Sequence, residues 1–124
     1  MKTAVSIFLV LAMAVGCFAG CGSKEEKKDA DKFYIGGIGP TTGDAAIYGT
    51  AVMNGAQIAV DEINEAGGIN GKKIEFNFQD DQSDAEKSVN AYNTLKDWSM
   101  QVLMGTVTTT PCVAVASNTA QVNM

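Results

Sequence analysis

Short apolar runs alternate with helical patterns along most of this 124-residue chain, and that alternation restricts the fold more than any other feature. Three runs predict buried strands, at residues 33–38, 74–79 and 101–104. A helical pattern follows each run, so the predicted order is β-α-β-α-β-α. Elements that alternate in this way form a parallel sheet with helices packed on its faces. The sequence therefore predicts the α/β class, with a parallel β-sheet and flanking helices.

Hydrophobic periodicity predicts which face of the first helix meets the sheet. The side chains predicted to point inward are Val52, Ala56, Ala59, Val60 and Ile63. Asn64 lies on the opposite, polar face in this interpretation. Gly67 and Gly68 end the helix, and a turn at Asn70 and Gly71 leads into the second strand.

Capping residues predict where the second and third helices begin. Ser83 and Glu86 have the spacing of a capping box at the start of the second helix. The side chains of that helix predicted to point inward are Val89, Tyr92, Leu95 and Trp98. Thr110 is the predicted N-cap of the third helix, because Pro111 follows where a missing N–H costs nothing.

The first 20 residues predict a secretory signal peptide. Lys2 supplies a positive start, an uncharged apolar run covers residues 4–18, and two small residues follow. The motif FAGC, which ends at Cys21, resembles a lipobox, where a bacterial signal peptidase cuts before a cysteine that receives lipid. Cys21 is therefore the predicted lipidation site, and cleavage before Cys17 competes with it. A plain secreted protein and an uncleaved anchor also stay open.

Residues 21–32 predict a charged tether between the lipid and the folded part, because the stretch carries charge and no aromatic residue before residue 33. Residues 33–124 then form the predicted domain. The chain has a net charge of −5 and contains no arginine, which excludes nucleic acid as an expected partner. It also contains no histidine and shows no catalytic set, so we expect neither an enzyme nor a cofactor. Cys112 is predicted to be a small buried residue.

Loops beyond the carboxyl ends of the strands are the candidate binding sites, because ligands of parallel α/β sheets bind there. The first loop covers residues 39–49. Gly37, Gly39 and Gly43, at the end of the first strand and in this loop, form GxGxxxG, which departs from the dinucleotide-binding pattern and does not favour a nucleotide. Asp80, Asp81 and Asp84 lack a histidine or a fourth ligand. A structural turn, with Asp84 in the first turn of a helix, is therefore favoured over a metal site.

Two further features of these loops have a functional and a structural interpretation. Thr108, Thr109 and Thr110 lie at a predicted helix N-terminus, where free N–H groups and hydroxyls suit a carboxylate. The structural alternative is that they only cap the helix. Tyr48, in the first loop, either packs on a ligand or covers the core.

Three phrases of the sequence resemble the leucine/isoleucine/valine-type periplasmic binding proteins. They are IGGIGPTTGDAAIYG, NGAQIAVDEINEAGGINGKKI and FQDDQSD, and the later VLMGTVTTTPCVAVA is similar to the third strand and ligand-holding loop of that family. The resemblance covers residues 33–120. It implies two α/β lobes that close on an amino acid, branched-chain favoured, and an ABC transporter permease as the partner that receives it.

The resemblance also implies roles for individual residues. A loop like that formed by residues 106–111 grips the α-carboxylate and part of the ammonium group, which assigns Thr108, Thr109 and Thr110 to the ligand, and a tyrosine placed like Tyr48 lines the side-chain pocket. Residues 33–124 then form an incomplete N-terminal lobe, anchored by lipid to the membrane outside the cytoplasm. Two different functions stay open beside this one: a ligand-sensing module of the same fold, of the amide or urea regulator type, and a truncated product without binding activity.

Overall fold

Strands and helices alternate along residues 32–121, the part of the chain that the computed structural model describes. The elements are β1 (Lys32–Gly39), α1 (Ala46–Glu65), β2 (Lys73–Asp80), α2 (Ala85–Asp97), β3 (Val102–Met104) and α3 (Thr109–Gln121). The sheet has the strand order β2-β1-β3, and both pairs of neighbours are parallel. The predicted β-α-β-α-β-α order and the α/β class are confirmed. The predicted signal peptide, Cys21 and the tether up to residue 31 lie outside the described residues.

Strand register brings the carboxyl ends of the strands to one edge of the sheet. Lys32 is opposite Lys73 at one end of the β1–β2 pair, and Gly39 is opposite Asp80 at the other. On the other side, Gly37 is opposite Met104, the last residue of β3. The loops that leave these ends therefore share one edge, which we call the carboxyl rim. We define it as the strand ends, these loops and the helix turns that follow them, residues 40–48, 80–84 and 105–110.

The central strand contains glycines at positions where neighbouring side chains touch its backbone. A Cβ added at Gly37 would lie 2.4 Å from a ring carbon of Phe78. One added at Gly36 would lie 2.9 Å from a methyl carbon of Leu95. Such distances are far below van der Waals contact, so larger residues at these positions would push the neighbouring elements away from β1. The glycines thus determine how closely the strands and α2 pack.

One hydrophobic cluster joins the sheet to α2 and α3. Its buried members are Ile38, Ala91, Tyr92, Leu95 and Val115, with Trp98, Met100 and Leu103 packed against it. The inward positions of Tyr92 and Leu95 are confirmed. Val89 is only half-buried, and Ser88 is buried in the same helix. Trp98 is also half-buried and packs edge-on against Tyr34, with ring centroids 5.1 Å apart.

The predicted inward face of α1 is partly wrong. Val60 is buried, at 8% exposed, but Val52 and Ile63 are 41% and 37% exposed. Ala59 is exposed as well, and Ala56 is half-buried. Gly49, which rests on the Pro40 backbone, and Asn64, which bonds to Ile74, lie on the face toward the neighbouring elements. A hydrophobic pattern does not register contacts of this kind.

Two predicted helix starts are also wrong. Asp84, and not Ser83, is the N-cap of α2, since its side chain accepts a hydrogen bond from the Lys87 N–H at 2.9 Å. Ser83 has a positive φ of 60°, so it belongs to the turn before the helix. The third helix begins at Thr109 instead of after Thr110.

Two further findings concern side chains and helices within the described residues. Cys112 is exposed, which contradicts the predicted burial, because it lies on the outer side of the first turn of α3. None of the helices in residues 32–121 combines the length and apolar character needed to cross a membrane.

Asn64 joins the last turn of α1 to the beginning of β2. Its side-chain oxygen accepts a hydrogen bond from the Ile74 N–H at 2.7 Å, and its side-chain nitrogen donates to the Ile74 carbonyl at 2.9 Å. The amide therefore pairs with both backbone groups of one strand residue, as a neighbouring strand would. This contact explains why a polar residue, predicted to face away, points toward the sheet.

We expect Asn64→Ala to lower the free energy of unfolding of the complete gene product by about 1–3 kcal/mol, because two partly buried backbone groups lose their partner. Chemical denaturation followed by circular dichroism measures the change. Gln57→Ala is the matched control, since Gln57 is exposed on the same helix and bonds only to Asp61. We expect it to change stability by less than about 0.5 kcal/mol. Equal effects of the two variants would contradict the assigned role of Asn64.

Candidate functional site

The first loop of the carboxyl rim turns sharply between β1 and α1. Pro40 is fully buried where the strand ends. Gly43 has a φ of 80°, a left-handed conformation that glycine adopts readily, and its carbonyl accepts a hydrogen bond from the Ala46 N–H at 3.1 Å. Helix α1 begins at that point, so the loop is shorter than the predicted 39–49.

The carboxylate of Asp80, at the end of β2, binds this loop. Its Oδ1 accepts hydrogen bonds from the N–H groups of Thr41 at 2.8 Å and Thr42 at 3.4 Å, and its Oδ2 accepts from the Thr42 hydroxyl. The Gln82 N–H donates to Oδ1 as well, at 3.1 Å. Partial burial pushes the pKa of Asp80 upward, but these hydrogen bonds outweigh it and lower the pKa to about 2. Asp80 is therefore an ionised acceptor at neutral pH.

Tyr48 lies in the first turn of α1 and not in the loop, which corrects its predicted position. Position 49 of this helix has room only for glycine, because the helix backbone rests on the loop there. An added Cβ would lie 1.8 Å from the Pro40 carbonyl oxygen. The Tyr48 side chain is 65% exposed, so it does not cover the hydrophobic core. The helix thus presents an aromatic side chain to solvent at the carboxyl rim.

The second loop holds a buried carboxylate. Asp81 is 0% exposed; its N–H donates to the Gly39 carbonyl at 3.3 Å, and its Oδ1 accepts from the Ser83 N–H at 2.9 Å. Burial raises the pKa of Asp81, and the nearby charges of Asp80 and Asp84 add to the effect against the Ser83 hydrogen bond. Its Oδ2 has no hydrogen-bond partner within residues 32–121.

The three acids predicted as an unfavoured metal site thus have separate structural roles. Asp80 binds the first loop, Asp81 is buried in a turn, and Asp84 caps α2. Over the described part of the chain, no three acidic or cysteine side chains converge in a way that could hold a metal ion.

The third loop joins β3 to α3 and packs on the end of β1. The Gly105 carbonyl accepts from the Ile38 N–H at 3.3 Å. Gly39 leaves room for Val107, since an added Cβ would lie 2.5 Å from a Val107 methyl carbon. The Thr106 hydroxyl donates to the Thr108 carbonyl at 3.4 Å. The loop is therefore held by the central strand.

The three predicted ligand-binding threonines surround the start of α3. The Thr108 carbonyl accepts from the Cys112 N–H at 3.1 Å, so Thr108 immediately precedes the first turn. Thr109 and Thr110 are exposed within that turn, where N–H groups have no carbonyl one helical turn earlier. The Thr108 Oγ1 is buried and lacks a hydrogen-bond partner among the described residues. The structure thus combines two exposed hydroxyls with one buried, unpartnered hydroxyl.

Both groups of predicted residues lie at the carboxyl rim, Tyr48 on the β1 exit and the threonines on the β3 exit. Sequence reasoning missed the contact of Asp80 with the first loop and treated Asp80 only as a turn or metal residue. The available signal was an acid at a strand end whose parallel neighbour leads into Pro40, Thr41 and Thr42, a loop with free N–H groups and a hydroxyl.

A cleft of about 330 Å³ lies elsewhere, between α2, α3 and the amino end of β3. Its lining residues are Tyr92, Lys96, Met100, Gln101, Leu103 and Thr119. None of these residues belongs to the carboxyl rim, so the cleft is separate from the predicted binding residues.

Known proteins are similar to this chain in sequence and in fold. BraC3, a Leu/Ile/Val-binding protein of Rhizobium johnstonii, is 40% identical over 87 residues, which cover 70% of this chain and 24% of that relative. A leucine-, isoleucine-, valine-, threonine- and alanine-binding protein of Pseudomonas aeruginosa is 34% identical over 99 residues, covering 80% of this chain and 25% of the relative.

A solved structure is similar to this chain in both sequence and fold. The branched-chain amino acid transporter substrate binding protein LivJ of Streptococcus pneumoniae, solved with isoleucine, is 35% identical and superposes with a TM-score of 0.68. The match covers 73% of this chain and 26% of LivJ. This chain therefore spans about a quarter of the length of the relatives it matches.

The sequence profile of the family described as "Periplasmic binding protein" matches residues 32–124, which include every strand and helix described above. Substrate-binding proteins of this kind are not enzymes. Family profile, relatives and fold agree, and this chain belongs to the periplasmic binding protein family.

Proposed function

We propose that this protein is an extracytoplasmic solute-binding lipoprotein that captures an amino acid, branched-chain favoured, and delivers it to an ABC permease. One observation carries the binding part: the buried, unpartnered Thr108 hydroxyl at the start of α3, on the edge where ligands of such sheets bind. The named relatives bind leucine, isoleucine and valine, which supports an amino acid as the solute.

The start of α3 suits the α-carboxylate of an amino acid. First-turn N–H groups and the positive end of the helix dipole attract an anion. The exposed hydroxyls of Thr109 and Thr110 add donors beside them. A bound carboxylate would also supply the acceptor that the Thr108 hydroxyl lacks, which recovers the cost of leaving a buried hydroxyl unpaired. We therefore assign the three threonines to the carboxylate end of the solute.

We assign Tyr48 to the apolar side-chain end of the amino-acid solute. An aromatic ring contributes a large apolar surface together with one polar hydroxyl, a combination common where one side of a residue contacts a ligand and the other contacts water. The 65% exposure of Tyr48 supports this assignment over a role in covering the core. An aliphatic side chain that packed on the ring would remove apolar surface from water.

Delivery to a permease rests on the relatives and on the amino-terminal sequence. LivJ is a transporter substrate-binding protein, and Cys21 follows a signal-like segment. Several acyl chains on Cys21 would hold the protein at the membrane surface, since each buried CH₂ contributes about 0.8 kcal/mol. A charged tether over residues 21–32 would let the domain reach its permease.

Thr108→Val tests the carboxylate site. Valine keeps the shape of threonine and removes the unpartnered hydroxyl, so the free protein should be equally stable or more stable. We expect the affinity for leucine, isoleucine or valine to fall by about 1–3 kcal/mol in titration calorimetry on the complete gene product. Thr119→Val is the control, because that hydroxyl bonds within α3 to Ala116, away from the rim. A similar loss of affinity in both variants would refute the site.

Tyr48→Ala tests the side-chain pocket. We expect weaker binding by about 1–3 kcal/mol, because the ligand loses an aromatic contact, and a stability change within about 0.5 kcal/mol, because the ring is exposed. Val60→Ala, on the same helix but buried, should show the reverse, with about 1–3 kcal/mol less stability and unchanged affinity. Titration calorimetry measures the affinity of both variants, and thermal melts measure their stability. If Tyr48→Ala lost stability but kept its affinity, Tyr48 would be a structural residue and not part of the pocket.

Cys21→Ala tests the lipid anchor. We expect the mature protein made in a bacterial host to begin at Cys21 with attached acyl chains, detectable by mass spectrometry of the N-terminal peptide. Cys21→Ala should remove both the acyl chains and the cut before residue 21, so that the N-terminal peptide stays unlipidated and keeps its signal segment, whereas Cys17→Ala should be processed like the unaltered protein. An unmodified Cys21, or a mature chain that still begins at Met1, would disprove the anchor.

A further inference from the structure

Helix α1 and strand β2 are joined by polar side chains at both of their ends. At the end away from the carboxyl rim, Asn64 bonds to the backbone of Ile74. At the rim, Asp80 bonds to Thr41 and Thr42, in the loop from which α1 begins. The two contacts resemble each other in chemistry, but only the second lies beside the candidate ligand residues. Comparing variants at Asn64 and Asp80 therefore separates an effect on stability alone from an effect on ligand binding.

We propose that Asp80 is a positioning residue for the amino-acid site, and that it holds the first loop so that α1 presents Tyr48 to the ligand. This inference rests on the proposed binding function. Asp80 itself need not contact the solute, because its two oxygens already accept hydrogen bonds from the loop and from the Gln82 N–H.

Few other contacts fix this loop. Thr42, Gly43 and Asp44 are exposed, and a Cβ added at Gly43 would meet no atom within 4 Å. A segment with so little packing opens easily unless hydrogen bonds hold it. Asp80 is therefore the residue whose side chain bonds to this loop between buried Pro40 and the start of α1.

The position of Tyr48 depends on the backbone of this loop. Core packing does not hold its exposed side chain. The N–H of Tyr48 bonds to the Ala45 carbonyl at 3.0 Å, and Gly49 rests directly on Pro40. A shift of the loop would accordingly move the first turn of α1 and the ring with it. Asp80 controls that shift from the neighbouring strand.

A charged acceptor suits this task better than a neutral one. Hydrogen bonds to an ionised carboxylate are roughly twice as strong as those between neutral groups. The low pKa of Asp80, about 2, keeps the carboxylate charged wherever the protein would meet its solute. Asparagine would retain one acceptor oxygen for the loop N–H groups but would lose the charge, so it should replace Asp80 only in part.

The test measures amino-acid affinity and thermal stability of the complete gene product for four single variants. For Asp80→Ala we expect the Kd for leucine, isoleucine or valine to rise about tenfold, and for Asp80→Asn a smaller rise. Asn64→Ala, which removes the matching contact at the far end of the same two elements, should lower stability and leave the Kd unchanged. Tyr48→Ala should raise the Kd, as stated above.

The double variant Asp80→Ala/Tyr48→Ala shows whether Asp80 acts through Tyr48. If it does, removing Asp80 should change the Kd less than about twofold once Tyr48 is gone, because residues that act on one contact are not additive. A full tenfold effect in the Tyr48→Ala background, or an unchanged Kd in Asp80→Ala, would overturn the inference and leave the proposed function intact. Failure of the unaltered protein to bind any amino acid would instead overturn the proposed function, and this inference with it.

Discussion

Close packing around the central strand is the constraint on which the rest of the structure depends. Gly36, Gly37 and Gly39 have no side chains, so Leu95, Phe78 and Val107 contact the backbone of β1 directly. These contacts set the distance of α2, of β2 and of the third loop from the strand. Because all three depend on β1, the loops of the carboxyl rim have fixed positions relative to one another. The positions of the candidate binding residues therefore depend on β1, although β1 contributes no candidate binding side chain.

Three acids close together in sequence show how local geometry determines the state of a carboxylate. Asp80 accepts hydrogen bonds from the neighbouring loop and keeps a low pKa, whereas burial raises the pKa of Asp81. Asp84 caps a helix and accepts from Lys87. Asp80 ends β2, Asp81 lies just after the strand, and a tight turn separates both from Asp84, the N-cap of α2. The spacing DDxxD therefore does not bring the three side chains to one point.

The order of the elements was predictable from sequence, while the ends and faces of the helices were only partly so. Apolar runs and glycines mark β1, β2 and β3 because burial and chain reversal both leave a strong signal in residue type. The predicted inward face of α1 was partly wrong because Gly49 and Asn64, neither of them hydrophobic, belong to the face that contacts the first loop and β2. The capping box was misplaced because Ser83, although a good N-cap by type, occupies a turn position with positive φ. Contacts between residues distant in sequence decide such details, and periodicity within one helix does not contain them.

The candidate residues at the rim differ in how far their hydrogen bonds are already satisfied. On the β1 exit, Asp80 occupies the N–H groups of Thr41 and Thr42, so that loop is ordered before any solute arrives. On the β3 exit, the Thr108 hydroxyl is buried without a partner in the described residues. Under the proposed function, the ordered loop lowers the entropic cost of binding, since little conformational freedom of the loop remains to be lost.

The unsatisfied Thr108 hydroxyl favours binding in a different way. It raises the free energy of the free protein, and a ligand that provides an acceptor recovers that cost. Under the same proposal, the driving force for binding would be greatest at the start of α3, whereas the loop after β1 would supply a pre-formed surface. A solute with a carboxylate at one end and an apolar group at the other fits this division, because the carboxylate meets the unpaired donors while the apolar group meets the pre-placed ring of Tyr48.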